Sequence, residues 1–168
     1  MFSFIAAILF SIATTGTGSA LTETPNITSC SSTHVVVIDD VTITNAKVGT
    51  TMTFSYKGQL TQSLNDSPSL KMTMTEINGG GQIPCINDLG SCEYQLCGGT
   101  SDVEKEISKP WNGTCPIPAG SYDSSASIHI PYGAILIIGD GLLHIKLEII
   151  NGGISVECNE FDIKVYEV

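Results

Sequence analysis

Apolar and polar residues alternate with a period of two through much of the chain. Met52, Phe54 and Tyr56 alternate with Thr51, Thr53 and Ser55, and Leu70, Met72 and Met74 with Lys71, Thr73 and Thr75. Near the end, Leu143, Ile145, Leu147 and Ile149 alternate with His144, Lys146 and Glu148. Such spacing predicts strands with one buried face. Asn151-Gly152 then supplies the left-handed positions of a tight hairpin turn, with Ile154, Val156 and Cys158 on the returning strand. Further along, the apolar register moves to Phe161, Ile163 and Val165, a shift from even to odd positions that predicts a β-bulge. Strands are also expected at His34 to Ile43 and Ser127 to Ile130. Val103 to Ile107 fits a strand or a single helical turn equally well, and Gly98 to Pro118 is the least regular stretch. No helix-length amphipathic pattern stands out. Short strands separated by Gly- and Pro-rich turns predict an all-β sandwich of antiparallel sheets.

The first residues depart from that pattern. Phe2 to Ala13 is mostly apolar and Gly18-Ser19-Ala20 offers small residues, so Met1 to Ala20 is expected to be a cleaved signal peptide, although it lacks Lys and Arg. A membrane anchor is the alternative, but about 12 apolar residues fall short of the roughly 20 that span a bilayer. Residues 21–168 then have the size of one domain. Export makes an oxidising compartment the expected destination, either the extracellular space or the lysosomal lumen. The sequons at Asn26, Asn65 and Asn112 are candidate glycosylation sites, Asn65 being the weakest because Pro68 follows its Ser67.

Seven lysines stand against seventeen acids with no arginine, a net charge of −10. Phosphate backbones are gripped by Lys and Arg clusters, so nucleic acid is excluded as an expected partner. The missing guanidinium also removes the best bidentate ligand for phosphate or carboxylate headgroups. A ligand would be held by its apolar part. The same charge should repel anionic bilayers at neutral pH and less so near pH 5, as carboxylates and histidines take up protons.

Six cysteines, Cys30, Cys85, Cys92, Cys97, Cys115 and Cys158, form an even set that predicts disulfides in an exported domain, with the pairing left open. Their spacing does not suit zinc: six residues separate Cys85 from Cys92 and four separate Cys92 from Cys97. His34, His129 and His144 have no carboxylate or cysteine at a ligand-like interval, so no metal site and no cofactor is expected. No Gly-x-Ser-x-Gly elbow is present, and adjacent Asp39 and Asp40 on a strand should point to opposite faces. His144 reads as a solvent-face strand residue. The expectation is a non-enzyme, with no catalytic residue.

The run Ile83-Pro84-Cys85 through Gly90-Ser91-Cys92 to Cys97, the segment Cys115-Pro116-Ile117-Pro118-Ala119-Gly120-Ser121-Tyr122, and Cys158 in the last hairpin resemble the ML (lipid-recognition) domain family. The resemblance covers Cys30 to Val168 and looks closest to the ganglioside activator branch, because no small cysteine loop follows Cys30. The extra cysteine pair of that branch is missing. The resemblance implies an immunoglobulin-like sandwich or cup with an internal lipid cavity and the pairs Cys30–Cys158, Cys85–Cys92 and Cys97–Cys115. It implies a lipid-binding and lipid-transfer protein that extracts one sterol, phospholipid or glycosphingolipid, makes transient membrane contact, and presents its cargo to a glycolipid hydrolase. The alternative is an extracellular module that recognises a protein or microbial surface.

The candidate cavity residues are Met52, Phe54, Leu70, Met72, Met74, Ile128, Ile130, Tyr132, Leu143, Ile145, Leu147, Ile163 and Val165. Three methionines among them suit an adaptable wall. Pro131 to Gly139 contains four consecutive large apolar residues that cannot all face inward on a strand. Ile135, Leu136, Ile137 and Ile138 are therefore expected at the cavity mouth, in contact with the membrane; a strand covered on both faces is the alternative. Trp111 is either a lid over that mouth or a local packing anchor.

Overall fold

A computed structural model describes residues 21–167. The expected leader, Met1 to Ala20, lies outside the described residues. The alternating segments form two antiparallel sheets. The first contains β1 (Thr22–Glu23), β3 (Val36–Thr44), β4 (Thr51–Leu60) and β7 (Gly120–His129), in the order β1-β3-β4-β7. The second contains β2 (Thr28–Ser29), β5 (Ser69–Glu76), β6 (Glu93–Gln95), β8 (Leu142–Asn151) and β9 (Ile154–Lys164), in the order β2-β9-β8-β5-β6. The fold is an immunoglobulin-like β-sandwich, with α1 (Asp102–Ser108) as its one α-helix among the described residues.

Two bulges explain where the simple period breaks. Ile149 pairs with Glu157 while Ile150 pairs with Ser155, so Val156 is the extra residue on β9. From Glu157 onward the odd positions face inward, which buries Phe161, Ile163 and Val165. In β3, Ile38 pairs with Gly58 and Asp40 with Lys57, leaving Asp39 unpaired. That bulge leaves Asp39 and Asp40 both exposed. The expectation that they point to opposite faces is therefore wrong, because the unpaired residue breaks the period of two.

The segment Val103 to Ile107 is helical. Ser101 Oγ accepts from the Glu104 backbone N–H at 3.2 Å, while the Glu104 carboxylate accepts from the Ser101 N–H at 3.0 Å, a reciprocal capping box. Ala134 to Ile138 lies mostly in a 3-10 helix over Tyr132–Leu136, not in the strand covered on both faces that was the alternative. Local bonds decide this: the N–H groups of Ala134 and Ile137 donate to the carbonyls of Pro131 and Ala134, each at 3.0 Å. Gly139, at φ 55°, then turns the chain into β8.

Disulfides join Cys30 to Cys158, Cys85 to Cys92 and Cys97 to Cys115. The first ties the chain beside β2 to β9. On that same side Glu157, 1% exposed, reaches from β9 across to β3, where its Oε2 accepts from the Val36 N–H at 3.2 Å. Its Oε1 accepts from the Cys158 N–H at 3.0 Å, so the buried carboxylate has a backbone donor on each oxygen. On the opposite side α1 packs against both β7 and β6, bridging the outer strands of the two sheets.

A hollow apolar slot as candidate functional site

Packing between the sheets is concentrated in two clusters. One gathers Val41, Ile43, Val48, Leu143, Ile145, Phe161 and Ile163; the other gathers Val35, Leu60, Leu64, Leu96 and Ile117. Between them the inward-facing Met52, Phe54, Tyr56, Met72, Met74, Leu147 and Ile149 remain only half-buried. Side chains that point into a sandwich and still keep accessible surface face a void. The void measures about 290 Å³, on the order of ten water volumes, and no charged side chain lines it among the described residues.

Of the candidate cavity residues, Met52, Phe54, Leu70, Met72, Met74, Ile128, Ile130, Leu143, Ile145, Leu147, Ile163 and Val165 are placed on the wall of the void. Tyr132 is not. It is 66% exposed, and its ring lies over Gly49, where even a Cβ would stand only 2.6 Å from it. The 3-10 turn rotates it off the inner face that a continued strand would have given it.

The four apolar residues of that turn divide by face. Ile137 and Ile138 line the void with Ala134, whereas Ile135 and Leu136 point to solvent, Leu136 at 85% exposure. Placing Ile138 in contact with a membrane is therefore wrong: it is 5% exposed and belongs to the core, because the helical turn carries it beneath Ala134. Trp111 is both a wall residue and a packing anchor. It lines the void, donates its indole N–H to the Leu96 carbonyl at 2.6 Å, and sets its ring edge-on to Tyr122 at 5.9 Å. Asn26, Asn65 and Asn112 are all exposed.

The wall also includes residues that strand periodicity does not reveal. Val103 and Ile107, one turn apart on α1, close the side of the slot, and Ile83, Leu89 and Gly90 contribute from the loop around the Cys85–Cys92 bridge. Ser101-x-x-Glu104, read as a capping box, would have selected the helical reading and with it the i, i+4 pair Val103 and Ile107. Glu104 holds the helix to its surroundings as well, accepting from the Gln95 and Thr100 N–H groups, each at 2.8 Å. The Gln95 bond foremost, with those from the helix start, holds its carboxyl below the usual range.

Polar atoms on the wall are mostly tied to the backbone. The Tyr94 hydroxyl donates to the Asp88 carbonyl at 2.9 Å and the Tyr122 hydroxyl to the Pro118 carbonyl at 2.6 Å. The void would cost roughly 7 kcal/mol at ~24 cal/mol per Å³ if nothing filled it. The Cys30–Cys158 bridge, spanning 128 residues, offsets about 5 kcal/mol of that by restricting the unfolded chain.

No family model matches the chain, and no curated protein matches it. Its fold is similar to the crystal structure of a Niemann-Pick type C2 protein from Japanese carpenter ant, at 12% identity, covering 83% of this chain and 98% of that one with a TM-score of 0.54.

Proposed function

We propose that this protein carries a single lipid, withdrawing it from a bilayer and sheltering its hydrocarbon part between the two sheets. The observation that carries the reading is the hollow slot itself, about 290 Å³ of space walled without a charged side chain. Filling it with hydrocarbon recovers dispersion contacts that an empty void forgoes and removes apolar wall from water. The fold likeness to a Niemann-Pick type C2 protein and the resemblance to the ML family support the same reading.

In this proposal Leu136 and Ile135, beside the wall residues Ala134 and Ile137, touch the membrane while the slot receives its cargo. The protein is exported with its leader removed, carries glycans at its exposed sequons, and works outside the cell or in the lysosome. Handing the lipid to a hydrolase is a further step of the same proposal. The test uses Trp111, the sole tryptophan of the chain and a wall residue. A fatty acid bearing a nitroxide on its chain should quench Trp111 saturably at one equivalent, and unlabelled lipid co-purifying with the protein should reverse the quenching. Absence of both quenching and co-purifying lipid would leave the exterior-recognition reading in its place.

A further inference from the structure

Tyr56 differs from every other hydroxyl-bearing residue of the wall. It sits midway along β4 on the inner face, directly opposite Ser124 of β7 in the sheet register. Ser124 falls between Tyr122 and Ala126 in the alternation, both wall residues, so its side chain shares that inner face. Tyr94 and Tyr122 give their protons to backbone carbonyls, as does the Trp111 indole. Neither the Tyr56 nor the Ser124 hydroxyl has a backbone acceptor among the described residues; burial raises the Tyr56 phenol's pKa, and the Ser124 hydroxyl across the ladder opposes that rise. Two hydroxyls carry two O–H protons, and a bond between them could use only one. At least one proton is therefore left without a protein acceptor, on a pair whose tyrosine lines the slot, where an oxygen acceptor would satisfy it and a plain hydrocarbon would not.

We infer that Tyr56 and Ser124 form a polar anchor inside the apolar slot, selecting a lipid that carries an acceptor oxygen partway along its hydrocarbon body. The inference rests on the carrier reading and names its cargo class: a chain or ring lipid with an internal carbonyl, ether or hydroxyl oxygen, rather than an unbroken alkyl tail. An unsubstituted tail would enter the same space and strand the unused donor. A tail with its oxygen at the right depth would gain one hydrogen bond in apolar surroundings.

The experiment uses the mature protein, tetradecanoic acid, and a series of its oxo-derivatives with the carbonyl moved along the chain. Each competes with a nitroxide-labelled fatty acid that quenches Trp111. One carbonyl position should bind about five-fold tighter than the unsubstituted acid, the value of one net hydrogen bond. In the Tyr56→Phe/Ser124→Ala double variant, which keeps both shapes, that preference, read as the ratio of the oxo-acid's affinity to that of the unsubstituted acid, should vanish. Equal affinity along the whole series in the wild type would overturn the anchor and leave the carrier intact, as would an optimum that survives in the double variant. If the plain acid does not compete at all and the labelled acid never quenches Trp111, the carrier reading falls and the anchor falls with it.

Discussion

Leu147→Phe is the substitution whose sign decides whether the sheets enclose space. Leu147 lies on β8 between Met72 of β5 and Asn159 of β9, points inward, and is only half-buried. Phenylalanine brings three more carbons to that position. At ~0.8 kcal/mol for each buried carbon, full burial in the void would stabilise the ligand-free protein by roughly 2 kcal/mol, and half burial by about 1. A domain of this size gains about 2–4 °C in Tm for each kcal/mol, so a rise of about 2–8 °C is expected. In a fully packed interior the same change would force off-rotamer side chains at a cost of about 1–3 kcal/mol, and Tm would fall. Calorimetry on delipidated protein measures the sign, and Trp111 quenching on the same samples should show weaker uptake of the labelled acid. A lowered Tm would refute the void and every functional statement that follows from it.

Four further outcomes are expected. Replacing Leu136 with Asp should abolish lipid extraction from vesicles with Tm changed by less than about 2 °C, since exposed substitutions rarely cost more than ~0.5 kcal/mol; unchanged extraction removes the membrane contact. Cys30→Ala/Cys158→Ala should lower Tm by roughly 10–20 °C, from the ~5 kcal/mol that the closed loop contributes. The Glu104 carboxyl is held below its ordinary range, so its contribution to docking α1 is fully present above the ordinary glutamate value near ~4.3 and is lost as pH falls through the lower folded value. Trp111 fluorescence should therefore hold steady from pH 7 to pH 5 and shift only in stronger acid, and Glu104→Gln should remove that acid step. Transfer from anionic vesicles should run faster at pH 5 than at pH 7, given the net charge of −10; equal rates would discard the electrostatic account.

The inner faces of β4, β5 and β8 were legible in the sequence because each keeps an unbroken period of two over several residues. That β9 carries a bulge was legible too, since its apolar residues change from even to odd positions; its place was not, because buried Cys158 kept the even register one step too long and the extra residue is Val156. The bulge at Asp39 was not. Its neighbours Asp39 and Asp40 are both polar, so no hydrophobic mark shows which of them leaves the ladder. Tyr132 and Ile138 were misplaced for a related reason: a run such as Ile135-Leu136-Ile137-Ile138 has no polar partner to fix its phase, and only local hydrogen bonds around Ala134 set which residues turn inward. Tyr56 showed itself as one more inward strand residue. That it faces a serine rather than a carbonyl depends on pairing with β7, a partner sixty-odd residues away that periodicity cannot name.

The two long sides of the sandwich are fastened by different means. Along one, the carboxylate of Glu157 on the Val36 N–H stitches sheet to sheet like the spine of a book, and the Cys30–Cys158 bond locks β2 against β9 within one sheet. Along the other, a seven-residue helix spans the gap, moored through Glu104 and the nearby Cys97–Cys115 bridge. In the proposed carrier, widening for a bulky guest is expected at the fore-edge, where that helix can tilt outward while the spine keeps the strand register unchanged. Such a carrier would admit guests of different girth without loosening the pairing of a single strand.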